Sequence, residues 1–204
     1  MKFSDIKVGY IYNVIFDPVH ACEFNSKHLS LVLKKNNDKS TFIVMPLTSA
    51  PNGNGVNKIQ LGQIESLPPS LKINTTYAVY NQIRTVNADR FISLKDESSV
   101  VESKMDEKMF DNLLSLGIRE LTFSLSQDKK IEILKKAYEE EIVLKAVYLA
   151  YDILKFKKES SDYQENISRI KKEIKAILKN IPYSLGQKYI DDGIKDIFDD
   201  AIEK

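Results

Sequence analysis

The sequence predicts an α+β protein, with a strand-rich first half and a helical second half. Two contrasts predict it. Residues 1–100 run in short, β-branched and alternating segments broken by turn residues. Residues 101–204 carry almost no glycine or proline, and their apolar residues recur at helical spacing. The divide is expected near residue 125, giving units 1–125 and 126–204.

The strands come first. Gly9–Phe16 is aromatic and β-branched and stops at the turn signal Asp17-Pro18. Leu29–Leu33 and Thr41–Met45 flank the polar turn Lys35–Lys39 and read as a hairpin. Pro46 lacks a backbone donor, so the ladder is expected to end there, leaving Leu47, Thr48 and Ser49 at the rim. Pro51–Gly55 is a turn-rich loop, and Val56–Leu61 alternates again. Pro68-Pro69 interrupts a looser segment. Thr76–Tyr80, Ile83–Val86 and Phe91–Leu94 complete six or seven short strands, enough for a small curled sheet or barrel.

Four helices follow. Ser103-x-x-Asp106 resembles a capping signal for a helix through about Leu125. A second helix spans Lys129 to about Lys157, with Ile131, Leu134, Tyr138, Ile142, Val147, Tyr148 and Tyr151 expected inward. Ser161-x-x-Gln164 opens a third, striped by Ile167, Ile170, Ile174, Ile177, Leu178 and Ile181 and closed by Pro182. Ser184-x-x-Gln187 opens a fourth, with Ile190, Ile194, Ile197, Phe198 and Ile202 on one side and acidic residues on the other.

Composition narrows the function. One cysteine, Cys22, excludes an internal disulfide framework and a cysteine-cluster metal site, and points to a reducing, cytoplasmic setting. No run approaches the roughly 18–20 apolar residues that span a bilayer, and the N-terminus lacks an apolar signal region. Residues 1–100 hold 11 Lys and Arg against 8 Asp and Glu. The totals of 30 and 29 leave 19 against 21 for the rest, so the first half is the more basic. That polarity permits a nucleic-acid partner without requiring one. The histidines and scattered acids show no metal-ligand spacing, and Gly53-Asn-Gly55 lacks the lysine and hydroxyl of a phosphate loop.

Catalytic chemistry is legible in one place. The hairpin brings His28 near the hydroxyls of Thr48 and Ser49, and an imidazole titrating near 6.5 can serve as acid or base. Arg84, in Asn81-Gln82-Ile83-Arg84, can clamp a phosphate, or it can pair with a carboxylate. Glu23 can orient a cation or a ribose, or be solvated. Phe24, Tyr77 and Tyr80 can stack bases, or pack in the core.

These residues resemble the MazF/PemK (Kid) family of toxin endoribonucleases over about residues 6–125. The matching pieces are Val8–Pro18, Glu23 ahead of His28–Leu33, Ile43–Ser49 and Tyr80–Val86, in the family's order. The resemblance implies an SH3-like barrel, usually a homodimer, that cleaves single-stranded RNA without metal or other cofactor. The RNA 2′-hydroxyl attacks the adjacent phosphate to leave a 2′,3′-cyclic phosphate. It also implies a cognate antitoxin. Thr48 and Ser49 match the family's pair at the scissile phosphate, Glu23 its active-site glutamate, and Gln82 and Arg84 its Gln-x-Arg motif. His28 stands where the family has an arginine, and Asn81 where some members have an aspartate. Catalysis is therefore assigned to His28, Thr48 and Ser49, and substrate binding to Glu23, Asn81, Gln82 and Arg84. The alternative is an inactive RNA- or antitoxin-binding module with a partner-binding helical domain. The resemblance says nothing of residues 126–204.

Overall fold

A computed structural model describes residues 1–20, 23–49, 57–154, 162–179, 190 and 192–202. It divides into two compact units, Met1–Phe123 and Ser124–Lys204.

The first unit is built on a mostly antiparallel sheet. Its strands are β1 (Tyr10–Ile15), β2 (Lys27–Lys35), β3 (Thr41–Thr48), β4 (Lys58–Gly62), β5 (Thr76–Val79), β6 (Arg84–Asn87), β7 (Phe91–Ile92), β8 (Leu94–Asp96), β9 (Ser99–Val101) and β10 (Ser103–Lys104). The main path runs β10-β1-β2-β3-β5-β4, with β6 joined to β3 and β7 to β1; β8 and β9 pair separately. Gly9 takes φ +80° at the entry to β1, a conformation that glycine adopts without a Cβ penalty. Its N–H bonds the Val32 carbonyl, and its carbonyl accepts from the Met105 N–H.

The sheet's alternation feeds two cores. Leu31, Met45, Leu47, Ala78 and Leu113 belong to one; Val14, Val32, Phe42, Val44, Val86 and Phe91 belong to the other. The β2–β3 turn is held by the Asp38 carboxylate, which accepts from the N–H groups of Ser40 and Thr41. Together with the Thr41 hydroxyl, these donors hold its pKa below the usual carboxylate value.

Pro46 does not end the ladder. It sits fully inside β3, buried and opposite Ser30, and the strand continues through Leu47 and Thr48, which pair with Ala78 and Tyr77. The other edge of β3 is paired with β6 over Thr41–Val44 and with β5 from Leu47 onward. Pro46 falls in the interval between them, where a missing donor interrupts no pairing on that edge.

A short helix, α1 (Pro69–Lys72), follows Pro68, and α2 spans Glu107–Leu121, ending before the expected Leu125. Its cap is Asp106, whose carboxylate accepts from the Met109 N–H at 3.0 Å. Ser103 is not the cap: it is buried in β10, its hydroxyl 2.8 Å from that of Ser66. Replacing Asp106 with alanine is expected to lower stability by about 1 kcal/mol, read as a shift of the urea midpoint at constant slope.

The second unit contains α3 (Gln127–Leu154), α4 (Tyr163–Leu178) and α5 (Lys195–Ile202). Val143, Ala146, Val147, Ala150 and Ile153 of α3 pack with Ile170, Ile174, Leu178, Ile194 and Phe198. The earlier part of the expected α3 stripe points elsewhere. Ile131, Leu134 and Tyr138 are 66%, 45% and 65% exposed, and Tyr148, also expected inward, is 51% exposed on the side of the packed segment that faces away from the bundle. The physical reason is length: α3 has 28 residues and α4 only 16, so its first turns run past the bundle's packed layer. Ser161, Ile181, Pro182, Ser184, Gln187 and Pro51–Gly55 lie outside the described residues.

Candidate functional site

Strand β6 begins at Arg84, opposite Val44 of β3. This places the arginine on the sheet face that carries Val44, Phe42 and Val86. Counting by twos from Val44 along β3 reaches Pro46 and Thr48 on the same face; counting from Ser30, across from Pro46, reaches His28. One face of the sheet therefore presents His28, Ser30, Thr48 and Arg84. Thr48 is half-buried at the end of β3, and Ser49 follows it, exposed.

Arg84 is held from three directions. Its Nη2 donates to Gln82 Oε1 at 3.0 Å, its Nη1 lies 3.6 Å from Glu23 Oε2, and its guanidinium stands over the Phe16 ring at 5.1 Å. Glu23, Asn81, Gln82, Ile83 and Arg84 line an open depression of about 320 Å³. The structure thus gathers all four residues expected to bind substrate around one hollow.

His28 is half-buried in β2, opposite Val14, with its ring 4.3 Å from that of Phe24. Phe24 meets Phe16 edge-on at 5.9 Å. A continuous line of rings therefore joins the imidazole to the Arg84 guanidinium. Burial pushes the His28 pKa below 6.5, while a hydrogen bond with the Asn25 backbone and the nearby Asp17 charge pull it back upward. Burial thus favours the neutral imidazole, which can accept a proton, over a fixed cation.

Several parts were invisible to pattern reading. Arg90 donates one Nη1 to three carbonyls in succession, those of Ile15 (3.2 Å), Phe16 (2.7 Å) and Asp17 (2.9 Å). It anchors the loop that carries Glu23 and Phe24. Helix α2 approaches the Gln82–Arg84 segment through Gly117: a Cβ there would lie 2.8 Å from Ile83 Cδ1. Arg119 of the same helix stands 5.4 Å from the Tyr80 ring. Ser30 is fully buried, and its hydroxyl has no hydrogen-bond partner among the described residues. Tyr77 and Tyr80 are core residues, only 9% and 6% exposed, which removes them as base-stacking surfaces. Phe24 keeps part of its surface open. His20 is exposed, and Cys22 lies outside the described residues. Among the described residues no group of three or more His, Cys, Asp or Glu could hold a metal, and no helix is long and apolar enough to cross a membrane.

By fold and site, the first unit is a mixed α/β domain whose antiparallel sheet carries a histidine, a threonine and a carboxylate-braced arginine on one face. The family model for PemK-like, MazF-like toxins of type II toxin–antitoxin systems matches residues 7–109, half of the chain. The chain belongs to that family of toxins. Among solved structures it is similar to MazF (Form-I) from Deinococcus radiodurans, at 15% identity and a TM-score of 0.42, over 57% of this chain and 96% of that one. No curated protein matches.

Proposed function

We propose that this chain is the toxin of a type II toxin–antitoxin pair and cleaves single-stranded RNA without a metal, in the cytoplasm and as a homodimer. The convergence of Glu23, Gln82 and Arg84 around one hollow, on the sheet face shared with His28 and Thr48, carries this reading. The pairing of β3 along both edges supports the SH3-like barrel as the scaffold.

The reaction needs three services. A base must take the RNA 2′-hydroxyl proton as that oxygen attacks the adjacent phosphorus. An acid must return a proton to the departing 5′-oxygen. Donors must stabilise the charge that builds on the phosphoryl oxygens. His28 is the base, and the imidazolium it becomes is the source of the proton returned to the departing 5′-oxygen. The hydroxyls of Thr48 and Ser49 donate to the phosphate. Arg84 supplies the permanent positive charge that an imidazole of lowered pKa cannot, and Gln82 and Glu23 hold its fork in place. The Asn81 amide, exposed at the rim, is placed to read a base edge and cannot act as a base.

The test is cleavage of a long single-stranded RNA in EDTA, with product ends mapped. The wild-type chain is expected to leave 2′,3′-cyclic phosphates and 5′-hydroxyls, and Thr48→Ala to lose at least about tenfold in rate. RNA bound but left intact by the wild-type chain would instead select the binding-module alternative. Cleavage that stops in EDTA would remove the metal-free mechanism.

A further inference from the structure

We infer that the first turns of α3 form a self-complementary surface that takes the same surface of a second copy, antiparallel. The inference does not depend on RNA cleavage.

Ile131, Leu134 and Tyr138 recur at steps of three and four residues and are 66%, 45% and 65% exposed. At about 3.6 residues per turn they form one stripe, which Ile142, half-buried, continues. The fully buried bundle-facing residues Val143, Ala146, Val147, Ala150 and Ile153 are centred roughly a third of a turn away. Leu149, about five turns beyond Ile131 on the same line, packs against the bundle, so the stripe is bare only over the first turns of α3.

Charge selects the occupant. Lys135 and Glu139 flank the stripe on one side; Lys130 and Glu141 flank it on the other. In an antiparallel pair related by a two-fold axis, each flank meets its own copy. A single register then satisfies both the apolar and the charged positions. Ile131 meets Ile142 of the second copy, and Leu134 meets Tyr138. Lys135 falls beside Glu139, and Lys130 beside Glu141. Each contact occurs twice by symmetry. Among the described residues these groups make helix-surface pairs, Lys135–Glu139 at 3.9 Å, with Glu139 half-buried, and Lys145–Glu141 at 3.0 Å. Such pairs are weak and can be shared with a partner at little cost. A parallel pairing in register would instead set like charges side by side.

The test uses the full chain with Cys22→Ser, which removes its one cysteine. Chains carrying Leu134→Cys are mixed with differently tagged chains carrying Tyr138→Cys and oxidised with copper–phenanthroline. The inference expects a disulfide between the two tags, in yield well above a control with Lys136→Cys in both chains, on the far side of the helix. Adding Lys130→Glu and Lys135→Glu to both chains makes every flank acidic, and the yield should fall at least about tenfold. Moving to one such acidic chain mixed with a Glu139→Lys, Glu141→Lys chain restores opposite signs and should restore the yield. High salt should weaken the cross-link in the wild-type charge background. A cross-link no stronger than the control, or one indifferent to the charge changes, overturns the inference. The altered residues of α3 lie outside the packed core, and the Cys22→Ser background is common to every sample, so loss of the fold does not confuse the comparison.

Discussion

Replacing His28 with alanine is expected to slow RNA cleavage by about 10²–10⁴-fold, the usual contribution of one positioned acid or base. The effect should fall on kcat, because the imidazole is proposed to act on the proton that moves and Arg84 to hold the phosphate. The pH profile gives a second, sharper reading. A general base works in its neutral form, and burial favours that form. The wild-type rate should therefore rise with pH on its acid limb, with a midpoint below 6.5. In His28→Ala that limb should vanish. Stability should follow the same group. Its folded pKa is lowered, so as pH falls below 6.5 the unfolded chain takes up the proton first and the folded state loses stability. A wild-type profile flat from pH 5 to 8, or an acid limb that survives in His28→Ala, would assign the base elsewhere.

The largest stability loss is expected from Phe42→Ala, about 3–5 kcal/mol. Phe42 is fully buried, its ring lying 4.8 Å from Phe3 and 5.1 Å from Phe91. It sits in β3 opposite Val86, in the core formed on the same sheet face as His28 and Arg84. Alanine leaves a ring-sized cavity walled by strands that already pair with one another and cannot close it cheaply. Against a typical total of about 5–15 kcal/mol, that loss removes much of the unit's stability. Urea unfolding followed by far-UV circular dichroism measures it, with exposed Val100→Ala as the control, expected within about 0.5 kcal/mol of wild type. A loss under about 1 kcal/mol would mean that this core is not packed as described.

The sequence carried the long strands and the helical second half because their signals are local. Alternation and β-branching mark β1, β2 and β3, and isoleucine spacing marks α4. Strands β9 and β10, of three and two residues, were not legible, since so short a run has no period to read. Pro46 misled for a related reason: the rule concerns a missing donor, and whether a donor is needed depends on which strand lies alongside. The α3 stripe showed the same gap. Its apolar spacing was plain, but spacing does not say how far the neighbouring helix reaches.

The candidate site divides along that line. His28, Thr48 and the Asn81–Arg84 segment could be named from the chain, because one hairpin and one short motif hold them. Glu23 beside Arg84, Phe16 beneath its guanidinium, Arg90 on three loop carbonyls and Gly117 against Ile83 join residues far apart in the sequence. The sequence by itself determined which residues can form strands and helices and which can move protons or carry charge, since those properties belong to each residue and its near neighbours. Only the tertiary structure decided which of them share a face, which arginine is braced by a carboxylate and which apolar stripe stays uncovered, because those outcomes depend on distances that local spacing does not encode.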